Sequence, residues 1–120
     1  MLFEIKGKDY ELKFGIGFIR KLDEVYKADY SGIEFGMGLT MATIQLQQYN
    51  PAGLSEVIRA AVKGNVRLSA VDEAIEDYAD EHDGLESLFE EINSELGKST
   101  VVKDTMKRAE KLSNQQATKE

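Results

Sequence analysis

Apolar residues take alternate positions in two short runs at the amino end of the chain. Phe3 and Ile5 fall on one face of the first run, and Tyr10 and Leu12 on one face of the second. Residues 7–9 between the runs are turn formers, so the pattern predicts a β-hairpin. Because a two-stranded hairpin is only marginally stable in water, we expect its apolar face to lie on the elements that follow.

From Gly17 onward apolar residues recur at helical spacing, which predicts a series of helices. The first is expected to end near residues 28–32. A second is expected from about Met37 to Tyr49, although Gly36 and Gly38 near its start each disfavour a helix by about 1 kcal/mol.

Capping residues predict the boundaries of the later helices. Asn50 can cap the free amide groups of a third helix, and Pro51 suits its first position, where no amide donor is needed. Glycine after a helix and a hydroxyl or carboxylate before one mark the remaining boundaries. The expected boundary residues are Gly64 at the end of the third helix, Ser69 at the start and Asp83-Gly84 at the end of the fourth, and Gly97 at the end of the fifth.

The length of the chain suits one domain. A chain of 120 residues buries roughly two-thirds of its unfolded surface, and its 42% hydrophobic content is that of a globular protein. A weak apolar stripe continues through residues 100–112, and the residues after it are polar. We therefore expect a mainly α fold with an N-terminal β-hairpin and five or six helices in one domain, 1–112, followed by a flexible polar tail, 113–120.

The charge is negative and unevenly placed. The formal net charge is −7, and residues 68–97 hold half of the 22 acidic residues and no Lys or Arg. An acidic chain of this kind is not expected to bind nucleic acid, because binding to phosphates requires a basic face. No apolar run approaches the ~20 residues of a membrane span, and the absence of cysteine excludes disulfides and thiolate metal sites.

The acidic region does not have the spacing of a metal site. If Gly84 were the sixth position of a calcium loop, Asp83 and Glu90 would suit the fifth and twelfth, but Ala79 would occupy the first, where an acid is required. His82 is the single histidine and is expected to be solvated among acidic neighbours. We therefore expect no catalytic residue, metal or cofactor. The acidic helices either form a solvated face or mimic nucleic acid toward a basic partner.

Flexible and apolar residues of the second and last predicted helices suggest a binding surface. Methionine repacks readily against different partners, although the same positions also suit a core. Such a surface would also allow two copies of the chain to associate. The candidate partner-binding residues are Met37, Met41, Tyr49, Val101, Val102 and Met106.

Five segments follow one another in order along the chain: IKGKDYELKFGIGF (5–18), EFGMGL (34–39), LQQYNP (46–51), VIRAA (57–61) and, after an acidic stretch, LFEE (88–91). Together, over about residues 2–96, they resemble the tail assembly chaperones encoded by siphophages and prophages of Gram-positive bacteria. The resemblance is a pattern of residue types rather than a ligand-binding motif.

The resemblance implies a protein that binds the tape measure protein, keeps that long helical chain soluble and helps to recruit major tail protein. It implies action in the host bacterial cytoplasm, absence from the mature virion, and no enzymatic activity. In such families a programmed frameshift adds a second domain to a minority of molecules, and we expect this chain to be the short form. The alternative is an acidic regulatory protein that occupies a basic or DNA-binding partner by charge mimicry.

Overall fold

The computed structural model describes residues 1–118, with the side chains of residues 1–29 and 31–111. Within that part of the chain, there are six helices and two separate antiparallel hairpins, and the helices and the first hairpin surround one apolar core. This confirms the predicted mainly α fold with an N-terminal hairpin. The elements are β1 (Leu2–Ile5), β2 (Lys8–Glu11), α1 (Ile16–Val25), β3 (Lys27–Tyr30), β4 (Ile33–Gly36), α2 (Gly38–Gln47), α3 (Pro51–Ala61), α4 (Leu68–His82), α5 (Glu86–Lys98) and α6 (Lys103–Thr118).

The first hairpin is part of the core, as the alternation predicts. Its two loop residues, Lys6 and Gly7, both have positive φ, which is the geometry of a tight two-residue turn. Phe3 and Ile5 are buried, and the chain after β2 continues against the end of α3, where the amide of Lys13 donates to the Ala61 carbonyl at 2.9 Å. The hairpin is therefore fixed to the helical body on its apolar side.

The helices pack in a connected series around this core. α1, α2 and α3 pack against one another, α4 packs on α3 and β1, and α6 lies along α2 and against α5. Leu22, Leu46, Ile58 and Ile92 have no exposed surface, so the centre of the core draws on four different helices. The apolar stripes predicted for the helices meet there.

A second hairpin, β3–β4, is an element that the helical periodicity does not predict. α1 ends at Val25, and Tyr26 already has extended backbone angles (φ −112°, ψ 103°). The loop residues Ser31 and Gly32 have φ values of 54° and 79°, so this hairpin has the same kind of two-residue turn as the first. The region expected to be a helix end and a loop is therefore a β-ribbon that leads into α2.

The predicted caps are partly right. The Asn50 side chain accepts a hydrogen bond from the Ala52 amide at 3.0 Å, and α4 ends at Asp83-Gly84, where Asp83 is left-handed (φ 55°). Ser69 is not the cap of α4, because the helix begins one residue earlier and Arg67 holds the cap position without a side-chain hydrogen bond. The capping prediction for Ser69 is wrong.

Two glycines do not end the helices to which they were assigned. Gly97 lies inside α5, which continues to Lys98 before the extended residue Ser99. α3 ends at Ala61, because Val62 turns extended and forms an isolated β-bridge with Leu12. Gly64 does have a positive φ of 104°, but it lies beyond that cap. Tertiary pairing, rather than a glycine, ends α3.

The backbone of α6 remains helical past residue 112 as far as Thr118. Residues 119 and 120 lie outside the described residues. The flexibility expected for residues 113–120 stays a prediction.

Candidate partner-binding surface

The candidate residues around α2 lie on its accessible side or at its ends. Met37, the residue before α2, is half-buried, and Met41, one turn later, is exposed. Tyr49, just after the helix, is exposed at one edge while its ring stacks on buried Phe89, with centroids 4.8 Å apart. Met41 is thus free for contact, whereas Tyr49 already has a packing role.

The candidates at the start of α6 divide between core and surface. Val101 is exposed, Val102 is completely buried, and Met106 is half-buried and packed against the core. Because α6 packs along α2, the structure brings the two groups of candidates onto neighbouring elements. Val102 is part of the core, so it adds nothing to the exposed surface of this fold.

The second hairpin also carries exposed apolar side chains, and these were not among the candidates. Ile33 is 59% exposed and Phe35 is 48% exposed. Since side chains alternate along a strand and Ala28 pairs with Phe35, these three residues share one side of the ribbon. We call this set, Ala28, Ile33 and Phe35, the hairpin face.

The opposite side of the ribbon is charged. Lys27, Asp29 and Glu34 occupy it, and the Lys27 ammonium lies 3.3 Å from a Glu34 carboxylate oxygen. Both partners are largely exposed, so this ion pair stabilises the ribbon only weakly. Its main effect is to make the two sides of the ribbon chemically distinct.

The base of the ribbon is attached to α1 and α2. The Met37 amide donates to the Tyr26 carbonyl at 2.8 Å, and the Gly38 amide donates to Asp23 Oδ1 at 2.9 Å. The Tyr26 hydroxyl donates to Gln45 Oε1 at 3.2 Å. Tyr26 follows the same two-residue alternation as Ala28, so its side chain leaves the chain on the side of the hairpin face.

Burial raises the pKa of the Tyr26 phenol above its ordinary value, and the nearby Glu56 carboxylate acts in the same direction. The neutral hydroxyl is therefore the form that this site favours, and it is the form that donates to Gln45. This places a hydrogen-bonded, half-buried group at the point where the ribbon leaves the body.

The glycine before α2 is required by close packing. A Cβ at Gly38 would lie 2.5 Å from the Asp23 amide nitrogen, 2.6 Å from the Leu22 Cβ and closer still to the Leu22 carbonyl carbon. This contact brings the start of α2 directly against the end of α1. The close approach of α1 and α2 thus explains Gly38, one of the two glycines near the predicted helix start.

The sequence did contain a signal for the second hairpin. Ile33-Glu34-Phe35 alternates, and Ser31-Gly32 suits a two-residue turn. The apolar residues after it, however, also continue at helical spacing, and strands of four residues give a weak pattern. Helical periodicity in α1 and α2 on either side therefore masked the ribbon.

The acidic residues of α4 and α5 are almost all exposed. Only Glu95 is half-buried, and within the described side chains it is also the one acid of these two helices in an ion pair, with Lys98 at 3.9 Å. The acids lie between the inward-facing residues, in agreement with a solvated face. The exposed acids make this surface negatively charged.

An acidic groove of about 340 Å³ lies between the first hairpin and helices α4 and α5. Carboxylates from four elements line it, among them Glu4, Asp9, Asp77 and Glu91. Among the residues that the structure describes, no group of three His, Asp or Glu side chains is close enough to hold a metal ion. The groove is an electrostatic feature and has no coordination geometry.

His82 has a local structural setting at the end of α4. Its Nδ1 lies 2.9 Å from the Tyr78 carbonyl oxygen, and its ring stacks on the Tyr78 ring at 3.8 Å. The Tyr78 hydroxyl in turn shares a 2.8 Å hydrogen bond with Ser87. The exposed histidine is therefore held against its own helix, and Tyr78 links that helix to the start of α5.

No helix within residues 1–118 is both long and apolar enough to span a bilayer.

Comparison with known proteins gives one finding: the family described as "Phage tail assembly chaperone protein, TAC" matches residues 2–111. No curated protein and no solved structure matches the chain significantly. The match extends from β1 into α6, including both hairpins and the acidic helices. The chain therefore belongs to the phage tail assembly chaperone family.

Proposed function

We propose that the chain binds the tape measure protein of its phage, keeps it soluble during tail assembly and helps to recruit major tail protein. It does so as a binding protein without catalysis, in the host bacterial cytoplasm, and it is not retained in the mature virion. The contact with major tail protein is made through a longer, frameshifted form of the same protein. Membership of the tail assembly chaperone family supports the general role.

The observation that carries the proposal is the hairpin face. A chaperone for a long helical chain must offer exposed apolar surface, because the partner has to bury its own apolar stripe against something. The ribbon offers Ile33 and Phe35 on one side, and β4 leads through Met37 directly into α2, where Met41 is exposed. Exposed apolar side chains thus follow one another along β4 and α2.

The expected energies suit reversible binding. Complete burial of an Ile or Phe side chain contributes about 1.5–3 kcal/mol, and association opposes this through lost freedom of motion. Ile33 and Phe35 alone are too few for tight binding, so Met41 and the exposed parts of Tyr49, Val101 and Met106 are proposed as additional contacts. A chaperone that must release its partner requires moderate affinity of this kind.

Co-expression with the tape measure protein, followed by size-exclusion chromatography with light scattering, tests the proposal. The informative variant is Ile33→Thr, which removes apolar surface and retains strand propensity. Ile16→Thr is the matched control, because Ile16 is 58% exposed and lies at the start of α1. We expect Ile33→Thr to weaken the complex about tenfold, which corresponds to about 1.4 kcal/mol, and Ile16→Thr to leave it unchanged.

The salt dependence separates this proposal from charge mimicry. The acidic face of α4 and α5 favours the mimicry alternative, in which a basic partner would be lost as salt screens the charges. A complex formed through the hairpin face should persist at high salt. Failure to form any complex with the tape measure protein, or equal losses in the two threonine variants, would contradict the proposed surface.

A further inference from the structure

The outer edge of β3 has unpaired backbone groups. Met37 lies opposite Tyr26 and donates to its carbonyl, so these two residues are a hydrogen-bonded pair. Hydrogen-bonded and non-hydrogen-bonded pairs alternate along two antiparallel strands, so Ala28 and Phe35 form the next hydrogen-bonded pair. Ala28 therefore directs its N–H and C=O toward β4, whereas Lys27 and Asp29 direct theirs outward. In the part of the chain that the structure describes, these outward groups have no backbone partner beyond the ribbon.

A second copy of the same strand fits this edge in one register. If two β3 strands pair antiparallel about a two-fold axis through Ala28, Lys27 of each copy lies opposite Asp29 of the other. Residues 27 and 29 are also the ones whose backbone groups point outward, so this register forms four inter-chain hydrogen bonds. Shifting the register by two residues in either direction would place Lys27 opposite Lys27 or Asp29 opposite Asp29. Such like-charge pairs are unfavourable.

The outer edge of β4 is less suited to self-pairing. Its outward residues are Glu34 and Gly36, and the side chain of Asp23 lies directly over Gly36. Pairing two β4 strands would bring Glu34 of one copy beside either Glu34 or the Asp23 carboxylate of the other. Like charges therefore oppose pairing at this edge and leave β3 as the favoured one.

We infer that the chain forms a homodimer through the outer edges of two β3 strands, giving a four-stranded sheet in the order β4-β3-β3-β4. Two-stranded ribbons are marginal in water, whereas sheets of three or more strands with an apolar side are stable. The dimer also places both hairpin faces on one side of the new sheet, with the small Ala28 side chains at its centre. An isologous contact of this kind closes at two copies.

Charge reversal tests the register. Asp29→Lys places Lys27 opposite a lysine of the other copy, while within its own ribbon the new side chain lies opposite Glu34 and preserves the monomer. We expect the dissociation constant of the dimer to rise about tenfold or more, because two symmetric pairs are changed. The double variant Lys27→Asp/Asp29→Lys restores opposite charges and should restore dimerisation. Asp80→Lys on exposed α4 makes the same change in net charge and should have no effect.

Cross-linking tests the geometry independently. The chain has no cysteine, and Ala28 would face Ala28 of the other copy at a distance that suits a disulfide. Oxidised Ala28→Cys should therefore migrate as a covalent dimer. Phe35→Cys is the control, since the two Phe35 positions would lie three strand spacings, or about 14 Å, apart. A wild-type chain that stays monomeric at high concentration by light scattering, or Phe35→Cys cross-linking as readily as Ala28→Cys, would overturn the inference.

Discussion

The two hairpins of this chain are alike locally and opposite in their surroundings. Each has two four-residue strands, and each has a two-residue loop with positive φ at both positions, Lys6-Gly7 in one and Ser31-Gly32 in the other. The first buries its apolar side, with Ile5 only 2% exposed, whereas the second leaves Ile33 59% exposed.

The difference shows that tertiary contacts decide which role a hairpin has. α4 packs on β1, and the chain after β2 pairs with the end of α3, so the first hairpin is covered along its apolar side. The second is held mainly at its base, by Tyr26, Met37 and Gly38. The first ribbon is therefore structural, and the second is available for contacts with other chains.

Truncating the matching isoleucines tests this contrast most strongly. Ile5→Ala removes a buried side chain and should lower the free energy of unfolding by about 2–5 kcal/mol. Ile33→Ala removes an exposed one and should lower it by about 0.5 kcal/mol or less. Chemical denaturation followed by circular dichroism measures both. Equal losses would mean that the second hairpin is as much a part of the folding core as the first.

The sequence predicted the first hairpin and not the second for a physical reason. Phe3, Ile5 and Leu12 alternate because they are buried on one side, and burial is what generates a readable pattern. Ile33 and Phe35 also alternate, but over four-residue strands between two stronger helical signals. The helices were predicted well for the same reason, since their stripes, such as Leu54, Val57 and Ile58, are core residues.

The exposure of the candidate residues could be predicted only in part. Met41 was identified and is exposed, whereas Val102 was identified and is buried. Exposure of an apolar side chain depends on which neighbours cover it, and composition and spacing carry little information about that. The helix ends show the same limit: Asn50 acts locally and was predicted, but α3 ends through the Leu12–Val62 bridge, which joins distant parts of the chain.

A substitution at Gly38 tests how the second hairpin is joined to the helical body. Gly38→Ala would force a methyl group against the α1 backbone and should lower the free energy of unfolding by about 1–3 kcal/mol. Gly97→Ala is the control, since it lies inside α5 with open space around it and should stabilise by about 0.5–1 kcal/mol. If Gly38→Ala were also stabilising, the close approach of α1 and α2 would be incorrect.

The two turns should respond differently to the same substitution. Gly7 and Gly32 have φ values of 75° and 79°, so alanine at either strains the turn by about 1 kcal/mol. Gly7→Ala should lower the global unfolding free energy by that amount. Gly32→Ala should instead speed amide hydrogen exchange within residues 27–36 and leave global unfolding almost unchanged. Faster exchange throughout the chain in Gly32→Ala would show that the second hairpin unfolds only with the core.

A smaller loss than the one from strain at Gly7 is expected at the base of the second hairpin, where Tyr26 donates to Gln45. Tyr26→Phe removes this partly exposed hydrogen bond and should lower the unfolding free energy by about 0.5–1 kcal/mol at neutral pH. Burial raises the pKa of Tyr26 in the folded chain, so the folded state holds this proton more tightly than the unfolded state does. Its contribution is fully present below the ordinary tyrosine pKa of about 10 and is lost as pH rises through the higher folded value. The difference in unfolding free energy between wild type and Tyr26→Phe should therefore shrink in alkaline solution. A difference that grows with pH would show that the site favours the phenolate, contrary to the burial of this residue.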